Sequence, residues 1–124
     1  MTSPFDAAQT ATRTQAIAAD LAAVEWITDG RVERLSQDFY WFSPVLKRQL
    51  EGLRADAVAR PKTEDEIRAV VAACARQGVP ITARGSGTGN YGQCMPLHGG
   101  VILDLSAYNQ LLWCKPGVAR AQAG

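Results

Sequence analysis

The sequence predicts an α+β fold, with an α-helical N-terminal segment leading into a βαβ unit. Three observations carry this expectation. Residues 6–28 are rich in alanine, with Ile17, Leu21 and Val24 on one helical face. A helix with start and stop signals then lies between two short runs of strand formers. Seven of the eleven glycines fall between Gly78 and Gly100, most of them in a loop directly after the second run.

The N-terminal segment, taken as residues 1–53, begins with a helix expected to run from Asp6 to about Thr28 and to end near Asp29 and Gly30. An aromatic knot follows, Phe39-Tyr40-Trp41-Phe42, and then Ser43-Pro44 and a short amphipathic run to Leu50. Such a knot can lie on a membrane or a cofactor, but packing on a core or partner surface is the simpler reading.

From residue 54 the local signals sharpen. Ala57-Val58-Ala59 reads as a strand stopped by Arg60-Pro61. Thr63-Glu64-Asp65-Glu66 reads as a capping box, with the Thr63 hydroxyl taking an amide of the first turn and Glu66 reaching back. Three acids in one turn suit a helix N-terminus, whose dipole favours anions, better than acid–base catalysis. Ile67, Val70, Val71 and Cys74 follow as a buried stripe, and Gly78 and Pro80 close the helix. Val79 to Ala83 forms the second strand, which implies a parallel pair with the first.

The glycine loop runs Arg84-Gly85-Ser86-Gly87-Thr88-Gly89-Asn90-Tyr91-Gly92-Gln93. Glycine at alternate positions admits positive φ and lets a ligand approach the main chain. Amides turned inward make a nest that holds phosphate, and Arg84, Ser86 and Thr88 add a charge and two hydroxyls. A pyrophosphate suits this loop; a glycine-rich connection without a ligand is the bland alternative. No Gly-Lys-Ser/Thr is present, so the triphosphatase P-loop signature is missing. Gly87-x-Gly89-x-x-Gly92 matches the dinucleotide string G-x-G-x-x-G, but that motif must open a helix. Pro96, Gly99 and Gly100 follow instead, then a buried strand over Val101 to Leu105. The anion would therefore be held by loop amides.

In this order the motifs from Asp56 to Asp104 resemble the start of the FAD-binding domain of the vanillyl-alcohol-oxidase/PCMH-type flavoproteins. They are most similar to the branch containing glycolate oxidase and D-lactate dehydrogenase. The resemblance implies that residues 54–124 are the first lobe of such a domain, and that Arg84, Gly85, Ser86, Gly87, Thr88, Gly89 and Asn90 wrap the FAD pyrophosphate. Gly92 and Gln93 would close the loop near the flavin, and Pro61 would lie near the adenine. Some members attach the flavin to a histidine in this loop. Thr88 occupies that place here and His98 does not match it, so noncovalent FAD is expected. Family members are several times longer, so this chain is expected to be an N-terminal fragment whose catalytic residues lie downstream. The whole protein would oxidise a 2-hydroxy acid or related alcohol and pass electrons to an acceptor. A non-catalytic nucleotide- or anion-binding module, and an inert product unable to fold alone, are the alternatives.

Composition narrows the remaining classes. Thirteen Lys and Arg against twelve Asp and Glu leave a net charge of +1, without the clustered cations that nucleic acid requires. No apolar run is long enough to span a bilayer, and the first residues lack the pattern of a signal peptide. Three cysteines without a C-x-x-C pair fit a reducing compartment, so a cytoplasmic protein is expected. Cys94 and His98 form a single short-spaced pair, too few ligands for structural zinc.

Overall fold

The computed structural model describes residues 4–39 and 43–124. Tyr40, Trp41 and Phe42, three of the four aromatic residues expected to pack as a knot, lie outside the described residues. Four strands make one sheet: β1 (Glu25–Ile27), β2 (Ala57–Arg60), β3 (Ile81–Arg84) and β4 (Val101–Asp104). Their order is β1-β2-β4-β3, with β2 and β3 both parallel to β4 and β1 antiparallel to β2.

Burial explains this order. Val101, Ile102 and Leu103 are all buried, so β4 needs cover on both faces and neighbours on both edges. β3 alternates between exposed and half-buried residues and takes an edge. The expected parallel pair of β2 with β3 is therefore corrected: β4 lies between them and hydrogen-bonds to both. Alternate side chains feed two cores. Ala59, Val101 and Leu103 meet Ile17, Val70 and Cys74 on one face. Val58 and Ile102 meet Ile27, Val32 and Ala55 on the other.

The helices are α1 (Ala7–Asp20), α2 (Arg31–Leu35), α3 (Pro44–Leu50) and α4 (Glu64–Gln77). The first expected helix is too long by eight residues, since α1 stops at Asp20 and β1 occupies part of the remainder. Ile17, Leu21 and Val24 do share a helical period, yet Trp26 and Ile27 are strand formers that gain more by extending the sheet. The Trp26 indole N–H donates at 3.0 Å to the Leu21 carbonyl, which also accepts from the Val24 N–H, so the turn after the helix is fastened twice. The N-terminal segment is thus helical with one strand, and that strand ties it to β2.

α4 forms as its caps dictate. Thr63 Oγ1 accepts from the Glu66 N–H at 3.2 Å, and Gly78 closes the helix at φ +62°. The Glu66 carboxylate reaches one residue further back than expected, accepting from the Lys62 N–H at 2.6 Å. Val70 and Cys74 are buried as expected, but Val71 is exposed and Ala73 takes its place in the core. Past β4, a 3-10 turn (Leu105–Ala107) leads to a hairpin of β5 (Leu111–Lys115) and β6 (Val118–Ala121). Its strand residues are all exposed, Leu111, Leu112, Trp113 and Val118 among them. No helix among the described residues is long and apolar enough to cross a membrane.

Candidate functional site

The three parallel strands all end on one side of the sheet, at Arg60, Arg84 and Asp104. Ligands of open α/β sheets characteristically bind outside such carboxyl ends. Asp104 is buried there. Its Oδ2 accepts from Arg60 Nε and Nη2, both at 2.9 Å, while Oδ1 accepts from the Ser106 N–H at 3.0 Å. This pair closes the ends of β2 and β4 and leaves the end of β3 open to the glycine loop.

The loop forms one wall of a cleft of about 270 Å³. Of the nine residues expected to bind, Arg84, Gly85, Ser86, Gly87, Thr88, Gly89 and Gln93 line it, whereas Asn90 and Gly92 do not. No helix follows Gly92, as Pro96 and the two glycines imply. Among the described residues, the backbone N–H groups of Ser86 to Asn90 donate to no protein acceptor. Such a run of open amides, with two hydroxyls beside it, is the donor set that a phosphate or pyrophosphate takes.

Gly87 is the conformational key to the loop. Its φ is +70°, and a Cβ there would stand 2.1 Å from Arg84 Nη2. That closeness shows where the Arg84 charge goes. Nη1 donates to the carbonyls of Leu35 at 3.1 Å and Gln37 at 2.7 Å, and to Cys94 Sγ at 3.3 Å. Arg84 therefore lies beneath the loop and fastens it to the end of α2, with its cation still beside the cleft.

Gly92 and Gln93 close the loop through contacts within the chain. The Gly92 N–H donates to Asp38 Oδ2 at 2.6 Å, and Gln93 Oε1 accepts from the Tyr91 N–H at 3.0 Å. Asp38 and Cys94 escape sequence reasoning. The Cys94 thiol donates to Asp38 Oδ1; burial, together with that bond to a carboxylate, pushes it up to about 11. It is therefore a neutral donor near pH 7. No local pattern announces either residue, since they are 56 positions apart. Cys94 and His98 go to different partners, the His98 ring lying tilted against Phe5 at 5.6 Å between centroids.

A larger hollow, about 530 Å³, lies between α2, α3 and Met95 and also touches Asp38. Its floor is Leu50, Leu53 and Met95, and its rim mixes Lys47 and Arg54 with Glu33 and Glu51. Carboxylates interleaved with cations make it a poor phosphate site.

Residues 55–124 match the family described as FAD binding domain. An uncharacterized FAD-linked oxidoreductase of Mycobacterium tuberculosis is 37% identical over 70 residues, covering 49% of this chain and 15% of that protein. Glycolate oxidase subunit GlcD of Escherichia coli is 37% identical over 65 residues, covering 52% of this chain and 13% of that protein. The chain thus spans only about one-seventh of the length of these relatives. Among solved structures, p-cresol methylhydroxylase with substrate bound superposes with a TM-score of 0.65 at 18% identity. It covers 92% of this chain and 22% of that one.

Proposed function

The chain belongs to the FAD binding domain family, and from that premise we propose that its glycine loop holds the pyrophosphate of a noncovalently bound FAD. One observation carries the reading: Ser86 to Gly89, whose backbone amides have no protein acceptor, line a cleft at the carboxyl end of the parallel strands. Their N–H groups donate to phosphate oxygens, and the hydroxyls of Ser86 and Thr88 flank them. The Arg84 cation supports the same charge from beneath the loop. Each charged hydrogen bond contributes about 1.5–3 kcal/mol before desolvation is counted. Thr88 offers no ring nitrogen for a covalent link to flavin, which supports the noncovalent form.

The whole protein is then an oxidoreductase, oxidising a 2-hydroxy acid or related alcohol, with a separate electron acceptor as its second partner. Likeness to the glycolate oxidase subunit supports that substrate class. When bound, FAD supplies the hydride-accepting chemistry, and this chain supplies position and electrostatics. The cysteines, free among the described residues, support a reducing compartment such as the cytoplasm.

The test is the visible absorption spectrum of the whole protein from its source, before and after denaturation. A flavin spectrum whose chromophore leaves on denaturation, and which bleaches anaerobically with a 2-hydroxy acid, is the expected result. A flavin that stays with the denatured chain overturns the noncovalent form. No flavin after soaking with FAD overturns the cofactor reading.

A further inference from the structure

Asp38 lies outside the stretch that matches the FAD binding domain family, yet its carboxylate reaches the glycine loop twice. Oδ2 accepts from the Gly92 N–H at 2.6 Å, and Oδ1 accepts from the Cys94 thiol. Its neighbours make the same crossing. The Phe39 N–H donates to the Gly87 carbonyl at 2.8 Å, and the Leu35 and Gln37 carbonyls accept from Arg84. Residues 35–39 thus grip the loop at its entry, its middle and its exit. They are anchored in turn by Ser36, a buried residue whose hydroxyl donates to the Val32 carbonyl at 2.7 Å and accepts from the Ala55 N–H at 3.0 Å.

From this network we infer that Asp38 is the positioning residue of the glycine loop and sets one edge of its anion subsite. Glycine-rich backbone loses more conformational freedom on ordering than any other. A loop ordered before its ligand arrives binds that ligand more tightly, because the ordering cost falls on folding instead. The Asp38 carboxylate also takes the Gly92 amide away from a phosphate. Its Oδ2 would stand 3.3 Å from a Cβ on Gly89, so like charge opposes a phosphate oxygen at the far end of the loop. Phosphate contacts are thereby drawn toward the Ser86 to Thr88 part of the loop, away from Gly92. The identity of the ligand rests on the FAD reading above, whereas the grip itself belongs to the free chain.

Hydrogen exchange and FAD titration of the wild type, Asp38→Ala and Asp38→Asn test the inference. In the FAD-free wild type, the Gly92 amide exchanges at least about tenfold more slowly than that of Gly89, which has no acceptor. Asp38→Ala brings Gly92 to the Gly89 rate and weakens FAD binding at least about tenfold. Asp38→Asn, whose amide oxygen accepts from the same N–H, restores both to within roughly threefold of wild type. That rescue separates positioning by an acceptor from general destabilisation. Equal exchange of Gly92 and Gly89 in the wild type overturns the inference, as does undiminished FAD binding by Asp38→Ala. If the alanine variant does not fold, the asparagine variant decides: a Gly92 as fast as Gly89 there sinks the acceptor role. Failure of the cofactor reading looks different. The wild type then binds no FAD, while slow exchange at Gly92 still depends on residue 38.

Discussion

The parallel sheet and the glycine loop meet at Arg84, yet opposite means hold them. The sheet is held by apolar side chains from elements that pack over its two faces, with Val58, Val101 and Ile102 fully buried. The loop has almost no side-chain volume to bury. Its shape comes from polar contacts to residues 47 to 56 positions earlier in the chain. The sheet is accordingly sensitive to lost volume, and the loop to lost acceptors or to an added Cβ. A chain can therefore keep its fold and lose its site.

The largest effect strikes the sheet. Ile102 lies on the central strand and is fully buried, so Ile102→Ala removes apolar contact and leaves a cavity worth about 2–5 kcal/mol. A shortfall of that size is a large part of a small domain's stability. Chemical denaturation should show a midpoint far below wild type, with FAD binding lost in the same transition. An intact sheet with a disordered loop would reverse the order of dependence argued here.

The same contrast explains what was legible in the sequence. α4 and its neighbouring strands could be read because each signal is local: Thr63 caps, Gly78 stops, and apolar residues alternate or recur at helical spacing. Strand order was harder, because β4 enters between β2 and β3 only after the whole loop has been traversed. The fully apolar run Val101-Ile102-Leu103 was the available clue that β4 must be central. β1 was hidden by a helical period that continues through Val24 and gives way only to pairing with β2. In the loop, glycine spacing announced an irregular, open backbone, but Asp38 and the downward turn of Arg84 had no local signature. Long-range hydrogen bonds leave none.

Each region also carries one buried thiol, which allows pH to probe them separately. Burial pushes Cys74 in the sheet core up from 9.0 to about 11, and Cys94 reaches the same value through burial and its bond to Asp38. A folded pKa above the unfolded one stabilises fully below about 9, and that contribution is lost as pH rises toward 11. Urea midpoints of wild type, Cys74→Ala and Cys94→Ala should therefore converge as the pH climbs through this window. Asp38→Asn should draw the Cys94 titration down and leave that of Cys74 in place. Identical shifts of both thiols would erase the distinction between the regions.

Gly87→Ala reaches the loop alone. At φ +70° an alanine costs roughly 1–2 kcal/mol in backbone strain, and its Cβ also displaces the Arg84 guanidinium. The change should weaken FAD binding by at least about tenfold, with the circular dichroism of the sheet and helices unaltered. Unchanged FAD affinity would remove the loop from the site altogether.

Thr63→Ala is the smallest change and the matching control on the sheet side. Thr63 caps α4 on the flank of the sheet, and its hydroxyl touches nothing in the loop. Losing a cap of this kind costs about 1 kcal/mol. The denaturation midpoint should fall modestly, while FAD affinity measured well below that midpoint stays at the wild-type value. The reason is mechanical: α4 reaches the loop through β3, and a frayed first turn of α4 leaves both β3 and the grip of residues 35–39 in place. If affinity falls together with the midpoint, the loop is reading the state of the helix. The two regions would then be one cooperative unit, and the separate anchoring of the site by Asp38 and Arg84 would have to be abandoned.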